Sequence, residues 1–231
     1  MAPAAARAAR LGRVSAPAPR RPARSGYGWL VAVVLAAFIA YVSLNTLRSD
    51  HISSSGLDVH ARVPPFAAPL ALGGVDGDVN VAVKRGQGRY GDEPACRVRG
   101  PEILNSCELG ERGPYVLAFL ATRGTRCTRQ LDLLQRAQAR HPDLRVAAVA
   151  IRGDRGELRA LVRRHRWRFP VAWDHDGILA NLFGVAVCPL MTYALPGGVV
   201  QATSVGELDA PELETRLAGL ERAARAGGWR P

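Results

Sequence analysis

The sequence lacks the short motifs that indicate several common protein functions. It has no glycine-rich phosphate loop, no serine nucleophile elbow and no internal repeat, which leaves nucleotide binding, serine hydrolysis and a solenoid fold without support. Its five histidines are scattered, at positions 51, 60, 141, 165 and 175. None lies at metal-ligand spacing from a cysteine, so we expect no metal, and we expect no other cofactor.

Acidic residues are absent from residues 1–49, which contain seven arginines. The formal charge of the chain is +11, so subtracting those seven leaves about +4 for the remainder. Residues 1–25 consist largely of alanine, proline and arginine, with too few large apolar side chains to bury a core, and we predict a disordered basic tail. Nucleic-acid binding is one use of such arginines. We interpret them instead as the flank of a membrane segment and expect no nucleic-acid partner.

A stretch without formal charge, residues 25–47, follows the tail and has its apolar centre at Trp29–Leu44. Its length and character predict a single membrane-spanning helix over residues 26–47. The preceding arginines predict a cytoplasmic N-terminus and an extracytoplasmic C-terminal part, at the cell membrane. A cleaved signal peptide is the alternative, although its apolar core is normally shorter and no small-x-small site precedes Arg48. Residues 48–63 are predicted to form a polar linker.

Residues 64–225 are predicted to form one α/β domain. Alternating apolar runs and amphipathic periods predict the following order: two short strands around a Gly-Asp turn, a strand at 115–120, a helix at 125–140, a strand at 144–151, a helix at 156–167, a strand at 169–173, a helix at 178–183, a hairpin of 190–195 with 199–203, and a last helix capped by Asp209. Residues 84–114 are predicted to be mostly irregular, because Pro94, Gly100 and Pro101 interrupt them. This order predicts a mixed sheet.

The stretch Tyr115–Gln130 combines a buried strand, a turn and the start of a helix. Cys127 lies in the first helical turn, where free backbone N–H groups and a partial positive charge favour a thiolate. Arg123 or Arg126 can add to that stabilisation. The residue three positions earlier, where a CxxC motif has its other cysteine, is Gly124.

Four stretches, in this order and spacing, resemble one known family. They are Pro65-Phe66 with Leu70-Ala71-Leu72 and Asp76-Gly77, then Val116–Thr122, then Phe183-Gly184-Val185 with Cys188-Pro189, and finally Leu195–Val200. They are similar to the thioredoxin-like, membrane-anchored thiol–disulfide oxidoreductases of the TlpA/ResA type, which belong with the redoxin and peroxiredoxin-like proteins. The resemblance covers about residues 64–225. It implies a thioredoxin-like three-layer α/β fold with a mixed central sheet, a cis-proline and a role in cell redox homeostasis.

The chain departs from the family at the redox motif. Where the family has W-C-x-x-C, this sequence has R-G-T-R-C, with Gly124 at the position of the nucleophile. If Pro189 matches the cis-proline, the resemblance places Cys188 on the loop that faces Cys127. Three interpretations stay open. The two cysteines form a structural disulfide or a buried thiol pair without turnover, or they form a redox-active pair across the site, or Cys127 acts alone as a peroxidatic thiol.

These considerations predict an extracytoplasmic, membrane-anchored thiol–disulfide oxidoreductase of the cell envelope. Its catalytic residues are Cys127 and Cys188, its substrates are protein thiols or disulfides, and Gly124, Thr125 and Pro189 contact the substrate. The alternative is a catalytically inactive module that binds a partner polypeptide along the cis-proline groove. A single-cysteine, peroxiredoxin-like peroxidase is the third and least favoured hypothesis.

The other two cysteines, Cys96 and Cys107, lie in the predicted irregular segment with ten residues between them. Outside the cytoplasm this spacing favours a structural disulfide.

Two further clusters carry charge. The predicted helix region 154–168 contains six arginines, at positions 155, 159, 163, 164, 166 and 168. We interpret them as a solvated basic face, with an anionic lipid or cell-envelope polymer as the alternative contact. Asp174 and Asp176, with His175 between them, are predicted to form a polar turn that caps the helix at Ile178 rather than an acid–base pair.

Overall fold

The computed structural model describes residues 27–48, 55–77, 80–81 and 93–231. The chain divides into two compact units, residues 1–50 and residues 51–231. The predicted basic tail and part of the predicted linker lie outside the described residues.

The first unit contains a helix, α1 (Tyr27–Arg48), of 22 residues. The apolar side chains of residues 27–43 are exposed, with Trp29 at 74% and Phe38 at 62% of their full accessible surface. In the part of the chain that the structure describes, no helix has both the length and the apolar character that crossing a membrane requires. The predicted membrane span therefore stays a prediction.

The second unit begins with a small antiparallel sheet. Its strands are β1 (Phe66–Pro69), β2 (Asn80–Val81) and β3 (Ile103–Asn105), with β1 in the middle. β1 and β2 are the two short strands that the sequence predicted on either side of the Gly-Asp turn. A 3-10 turn at Ala95–Arg97 and helix α2 (Ser106–Arg112) flank β3.

The segment predicted to be mostly irregular thus contains a strand and a helix in its described part. The reason is Asn105, which is almost fully buried. Its side-chain oxygen accepts hydrogen bonds from the backbone N–H groups of Cys107 and Glu108, and caps α2. Its amide group donates to the carbonyls of Ala95 and Val98 and holds the 3-10 turn against the helix. One buried side chain therefore organises a stretch that has no clear apolar period.

A five-stranded mixed sheet forms the centre of the domain, as predicted. β4 (Tyr115–Ala121), β5 (Arg145–Arg152) and β6 (Val171–Trp173) run parallel to one another, and β7 (Leu190–Ala194) with β8 (Val200–Val205) completes the sheet as an antiparallel hairpin. The spatial order is β6-β5-β4-β7-β8. β4 is therefore the central strand, with β7 antiparallel to it on one side.

Helices cover both faces of this sheet. α3 (Thr125–Gln138), α4 (Arg155–His165) and α6 (Ala210–Ala226) pack on one face, and α2 with α5 (Ile178–Leu182) packs on the other, next to β1 and β3. Asp209 caps α6 as predicted, and Glu212 completes a capping box with it. The result is a three-layer α/β arrangement.

The apolar run of β4 is continuous because both of its faces are buried. Side chains that point to the α3 face alternate along the strand with side chains that point to the α5 face. The first set is Val116, Ala118 and Leu120, and the second is Tyr115, Leu117 and Phe119. Each of the larger ones contributes about 1.5–3 kcal/mol on burial, so the strand that carries the candidate site is among the best anchored in the domain.

Candidate active site

Cys127 is presented by the turn that follows β4. The strand ends at Ala121, and α3 begins at Thr125 after its N-cap residue, Gly124. Gly124 has a φ of 125°, a backbone conformation that favours glycine. Because glycine has no side chain, no side-chain group at the N-cap position accepts hydrogen bonds from the first-turn N–H groups of α3. Cys127 is the third residue of the helix and is only 5% exposed.

Cys188 is presented by the loop that leads from α5 into β7. The peptide bond between Cys188 and Pro189 is cis, as the resemblance implied. Leu190 pairs with Phe119 at the end of β4, so the residue two positions before Leu190 lies at the same edge of the sheet as the start of α3. The sulfur of Cys188 is 3.6 Å from the carbonyl oxygen of Phe119. The bonded sulfur carries no hydrogen, but the thiol of a reduced Cys188 can donate to that oxygen.

The two cysteines are joined in a disulfide. Their Cα atoms are 5.7 Å apart, inside the usual range for a disulfide, although 61 positions separate them in the chain. Cys127 is buried, whereas Cys188 is partly exposed. Of the two bonded residues, the one on the loop is therefore the more accessible to solvent.

The arginines next to Cys127 are paired with carboxylates rather than directed at the sulfur. A guanidinium nitrogen of Arg123 lies 3.3 Å from Glu157 of α4, and Arg126 lies 3.7 Å from Glu207, which follows β8. Both arginine side chains are largely exposed. The expected arginine contribution to a thiolate is thus offset by nearby glutamates, and the N-terminus of α3 remains the main stabilising element. The sequence near Cys127 could not predict that these two glutamates lie beside the site, because they come from distant parts of the chain.

The residues predicted to contact a substrate lie around this disulfide. Gly124 and Thr125 are exposed, and a β-carbon built on Gly124 has no neighbour within 4 Å. Pro189 is buried, and its carbonyl accepts a hydrogen bond from the N–H of Gly206 at 2.8 Å. Val187, immediately before Cys188, is 48% exposed. A substrate role for these residues stays a prediction.

A second disulfide joins Cys96 and Cys107, with Cα atoms 5.4 Å apart. It links the 3-10 turn to the first turn of α2. On the same segment, the two terminal guanidinium nitrogens of Arg99 donate to the carboxylate of Glu111, at 2.7 and 2.6 Å. Both partners of that ion pair are exposed, so it adds little to stability.

Asp174 and Asp176 form a polar turn before α5 as the sequence indicated, although the N-cap residue itself is Gly177. The carboxylate of Asp176 accepts a hydrogen bond from the N–H of Ile178 at 3.3 Å. Asp174 reaches further into the first turn. Its carboxylate accepts hydrogen bonds from the N–H groups of Leu179, at 3.2 Å, and Ala180, at 2.9 Å. It is 2% exposed, and burial raises its pKa to about 6, with the nearby Asp176 acting in the same direction. Among the described residues there is no group of three or more side chains that could hold a metal ion.

The predicted basic face is wrong for two of its six arginines. Arg155 is buried, binds Asp76 at 2.7 Å and donates to the carbonyls of Leu70 and Gly73. Arg159 donates to the carbonyls of Ala71 and Gly73. These two side chains hold the loop after β1 against α4, and the helical spacing alone could not show that this loop covers them.

Comparison with known proteins identifies the fold. No protein-family model matches the sequence, and no curated protein matches it. Solved structures do match. A thiol:disulfide interchange protein of the thioredoxin family from Chlorobium tepidum is 12% identical over 71% of this chain and 98% of its own, with a TM-score of 0.51. A second protein from that organism, provisionally named a thiol:disulfide interchange protein DsbE, is 20% identical over 71% of this chain and 98% of its own, with a TM-score of 0.54.

A third match has the same architecture. It is a protein from Bacteroides thetaiotaomicron, provisionally named a protein disulfide isomerase, and is 10% identical over 75% of this chain and 96% of its own, with a TM-score of 0.55. At these identities the likeness establishes the fold alone. The chain has a thioredoxin-like α/β fold with a mixed central sheet. It carries a bonded cysteine pair, Cys127 and Cys188, between the start of α3 and the loop before β7.

Proposed function

We propose that this domain is a thiol–disulfide oxidoreductase whose redox-active pair is Cys127 and Cys188. The observation that supports it is the unequal exposure of the two bonded cysteine residues. The sulfur of a partly exposed cysteine on a loop can be attacked from solvent. A buried sulfur in the first turn of a helix can leave as a thiolate, because free N–H groups and the helix dipole favour negative charge there.

In the oxidising direction, a substrate thiolate attacks the sulfur of Cys188. A bond forms between the substrate sulfur and Cys188, the bond to Cys127 breaks, and its electron pair stays on Cys127 as a thiolate. A second substrate thiolate then attacks the substrate sulfur of this mixed disulfide and releases Cys188 as a thiolate. The substrate dithiol is oxidised to a disulfide and the protein pair is reduced.

The reducing direction uses the same atoms in reverse. The thiolate of Cys188 attacks a substrate disulfide and expels one substrate thiolate, and Cys127 then attacks the sulfur of Cys188 and expels the other. Cys127 is thus the resolving thiol, the role that the second cysteine has in a CxxC pair, and Cys188 takes the role of the first cysteine, whose position is Gly124 here. The difference in reduction potential between this pair and its partner decides which direction runs. The substrates are protein thiols or disulfides.

Two alternatives make different demands on the site. A redox-inactive module would use the exposed residues Gly124, Thr125 and Val187 to bind a polypeptide beside Pro189, with the disulfide serving only to join the loop to α3. A peroxidase based on Cys127 alone finds no support in the geometry, because that sulfur is buried and bonded to Cys188.

Two variants, each with one cysteine of the pair replaced by serine, test the proposal. Cys127→Ser leaves Cys188 free, and Cys188→Ser leaves Cys127 free, while Cys96–Cys107 stays as an internal reference in both. Each variant is mixed with glutathione disulfide, and intact mass reports the adduct. We expect Cys127→Ser to form a persistent adduct about ten times faster or more, because its sulfur is accessible and no resolving thiol remains.

Reduced wild-type protein should pass through the same adduct and release glutathione as the internal disulfide reforms. Slow adduct formation in both variants would support the inactive module. Faster reaction at Cys127 would reverse the assigned roles.

We also propose that the protein is anchored in a cell membrane with this domain on the extracytoplasmic side. The support is the uncharged stretch of residues 25–47 and the arginines before it. Alkaline carbonate extraction of membranes, followed by protease treatment of intact cells, tests both parts. Release by carbonate would exclude an anchor, and protection of the domain from external protease would exclude the orientation.

A further inference from the structure

A groove of about 530 Å³ lies at the C-terminal ends of α3 and α4. Three arginines, two glutamines and one histidine supply its polar lining, namely Arg136, Arg166, Arg168, Gln135, Gln138 and His165. No carboxylate is among the residues that line it. The three guanidinium groups come from α3, from the cap of α4 and from the turn that follows. We call this feature the arginine groove.

The arginines of the groove lack carboxylate partners among the described residues. Some exposed arginines elsewhere on the same domain are paired, such as Arg129 with Glu207 at 2.9 Å and Arg225 with Asp143 at 3.5 Å. Asp132 lies 2.9 Å from the ring nitrogen of the groove residue His165 and accepts a hydrogen bond from the indole N–H of Trp167 at 2.8 Å, so its carboxylate is already occupied. The positive charge of the groove is therefore not neutralised locally.

The negative ends of the helix dipoles offset only part of this positive charge. The C-terminus of a helix carries roughly half a negative charge, so α3 and α4 together supply about one, and Asp132 supplies one more. Against these stand the three arginines of the groove and two exposed neighbours on the last turn of α4, Arg163 and Arg164. About three positive charges remain without a counter-charge.

The backbone gives a second indication at Arg166. This residue ends α4 in the left-handed conformation, with a φ of 54°, and its N–H donates to the carbonyl of Val162. Glycine or asparagine normally occupies such a cap, because a β-carbon is disfavoured there. The helix end does not require an arginine. Its side chain instead adds a third guanidinium to the groove.

We propose that the arginine groove is a binding site for a phosphate-type oxyanion. Planar guanidinium groups bind phosphate through pairs of parallel hydrogen bonds. The amide of Gln135, whose oxygen accepts a hydrogen bond from the N–H of Arg168, can add a neutral donor through its nitrogen. The phosphate belongs either to a lipid headgroup or to a soluble phosphorylated compound, and both present the same chemistry to the groove. Cys127 lies near the opposite end of α3, roughly 16 Å away along the helix axis, so this site is independent of the proposed redox function.

The test uses the full chain in non-ionic maltoside micelles with two probes, inorganic pyrophosphate and the short-chain lipid dihexanoyl phosphatidylglycerol. Calorimetry measures affinity, and nitrogen-15 NMR follows the side-chain N–H signals of the three groove arginines. The variant is Arg136→Gln/Arg166→Gln/Arg168→Gln. Its matched control, Arg145→Gln/Arg222→Gln/Arg230→Gln, removes the same charge from exposed positions outside the groove and leaves the N-terminal tail intact.

We expect the groove variant to weaken binding by about tenfold or more and the control to change it by less than about twofold. Tighter binding of the lipid assigns the site to a headgroup, and tighter binding of pyrophosphate assigns it to a soluble phosphate. Equal losses in the two variants, or arginine signals that neither probe shifts, would overturn the proposal. The signals of the wild-type protein decide the matter even if the triple variant fails to fold.

Discussion

The sulfur of Cys188, on the loop before β7, is bonded to the sulfur of Cys127, in the first turn of α3, across 61 positions of sequence. In a CxxC motif both thiols belong to one helical turn, so reduction leaves the surrounding elements connected as before. Here reduction removes the covalent link between a helix and a loop. A change of redox state therefore changes the connection between α3 and the loop before β7, in addition to the reactivity of the two cysteines.

The first prediction separates the two disulfides. Cys96→Ala/Cys107→Ala should lower the free energy of unfolding by about 3 kcal/mol, because a bond that closes a short loop restricts the unfolded chain by about that much. Urea denaturation measures the loss. Exchange of the Cys127–Cys188 pair with glutathione should be unchanged, since the second bond lies in another part of the fold. Loss of exchange in a variant that remains folded would show that the two disulfides act together.

The second prediction concerns pH. The pKa of Asp174 is raised from 3.8 to about 6 by burial, so the folded state keeps a proton that the unfolded chain has released. Stability should therefore fall as the pH rises through this interval, by up to roughly 3 kcal/mol. Asp174→Asn cannot titrate and should remove that part of the slope in urea unfolding. Asp176→Asn should keep most of it, because burial is the main cause, and equal slopes in Asp174→Asn and the parent would contradict the assignment.

The third prediction compares one substitution at two glycines. Gly124 has a positive φ, whereas Gly219 lies inside α6, and a β-carbon on either has no neighbour within 4 Å. Gly124→Ala should destabilise the protein by about 1 kcal/mol through backbone strain alone. Gly219→Ala should stabilise it by about 0.5–1 kcal/mol through helix propensity. A stabilised Gly124→Ala would mean that the turn before α3 relaxes to an ordinary conformation.

The sequence was most informative where a pattern is local. The apolar run at 115–120 predicted a buried strand, and β4 is buried on both faces over these residues and continues to Ala121. The cis peptide before Pro189 followed from the resemblance rather than from the residues themselves. Asp209 was recognisable as a cap because the acid and the proline after it form a short-range signal.

Features fixed by distant contacts were not predictable. Helix α2 has only seven residues and depends on Asn105, whose bonding partners include carbonyls seven and ten positions earlier. Arg155 carries the same charge as its exposed neighbours, and only the position of the loop after β1 makes it a buried structural residue. The proximity of Cys127 and Cys188 was expected from the resemblance alone, because no local pattern at either cysteine indicates the other.

The most direct measurement is the redox equilibrium of each disulfide in the full-length protein. Protein is equilibrated with glutathione buffers of graded potential, and differential alkylation with mass spectrometry counts the reduced cysteines at each pair. We expect Cys127–Cys188 to equilibrate at a potential above the roughly −300 mV of structural disulfides, and faster than the protein unfolds, while Cys96–Cys107 stays oxidised. If Cys127–Cys188 stays oxidised alongside Cys96–Cys107 until the protein unfolds, the pair is structural and the proposed activity is wrong.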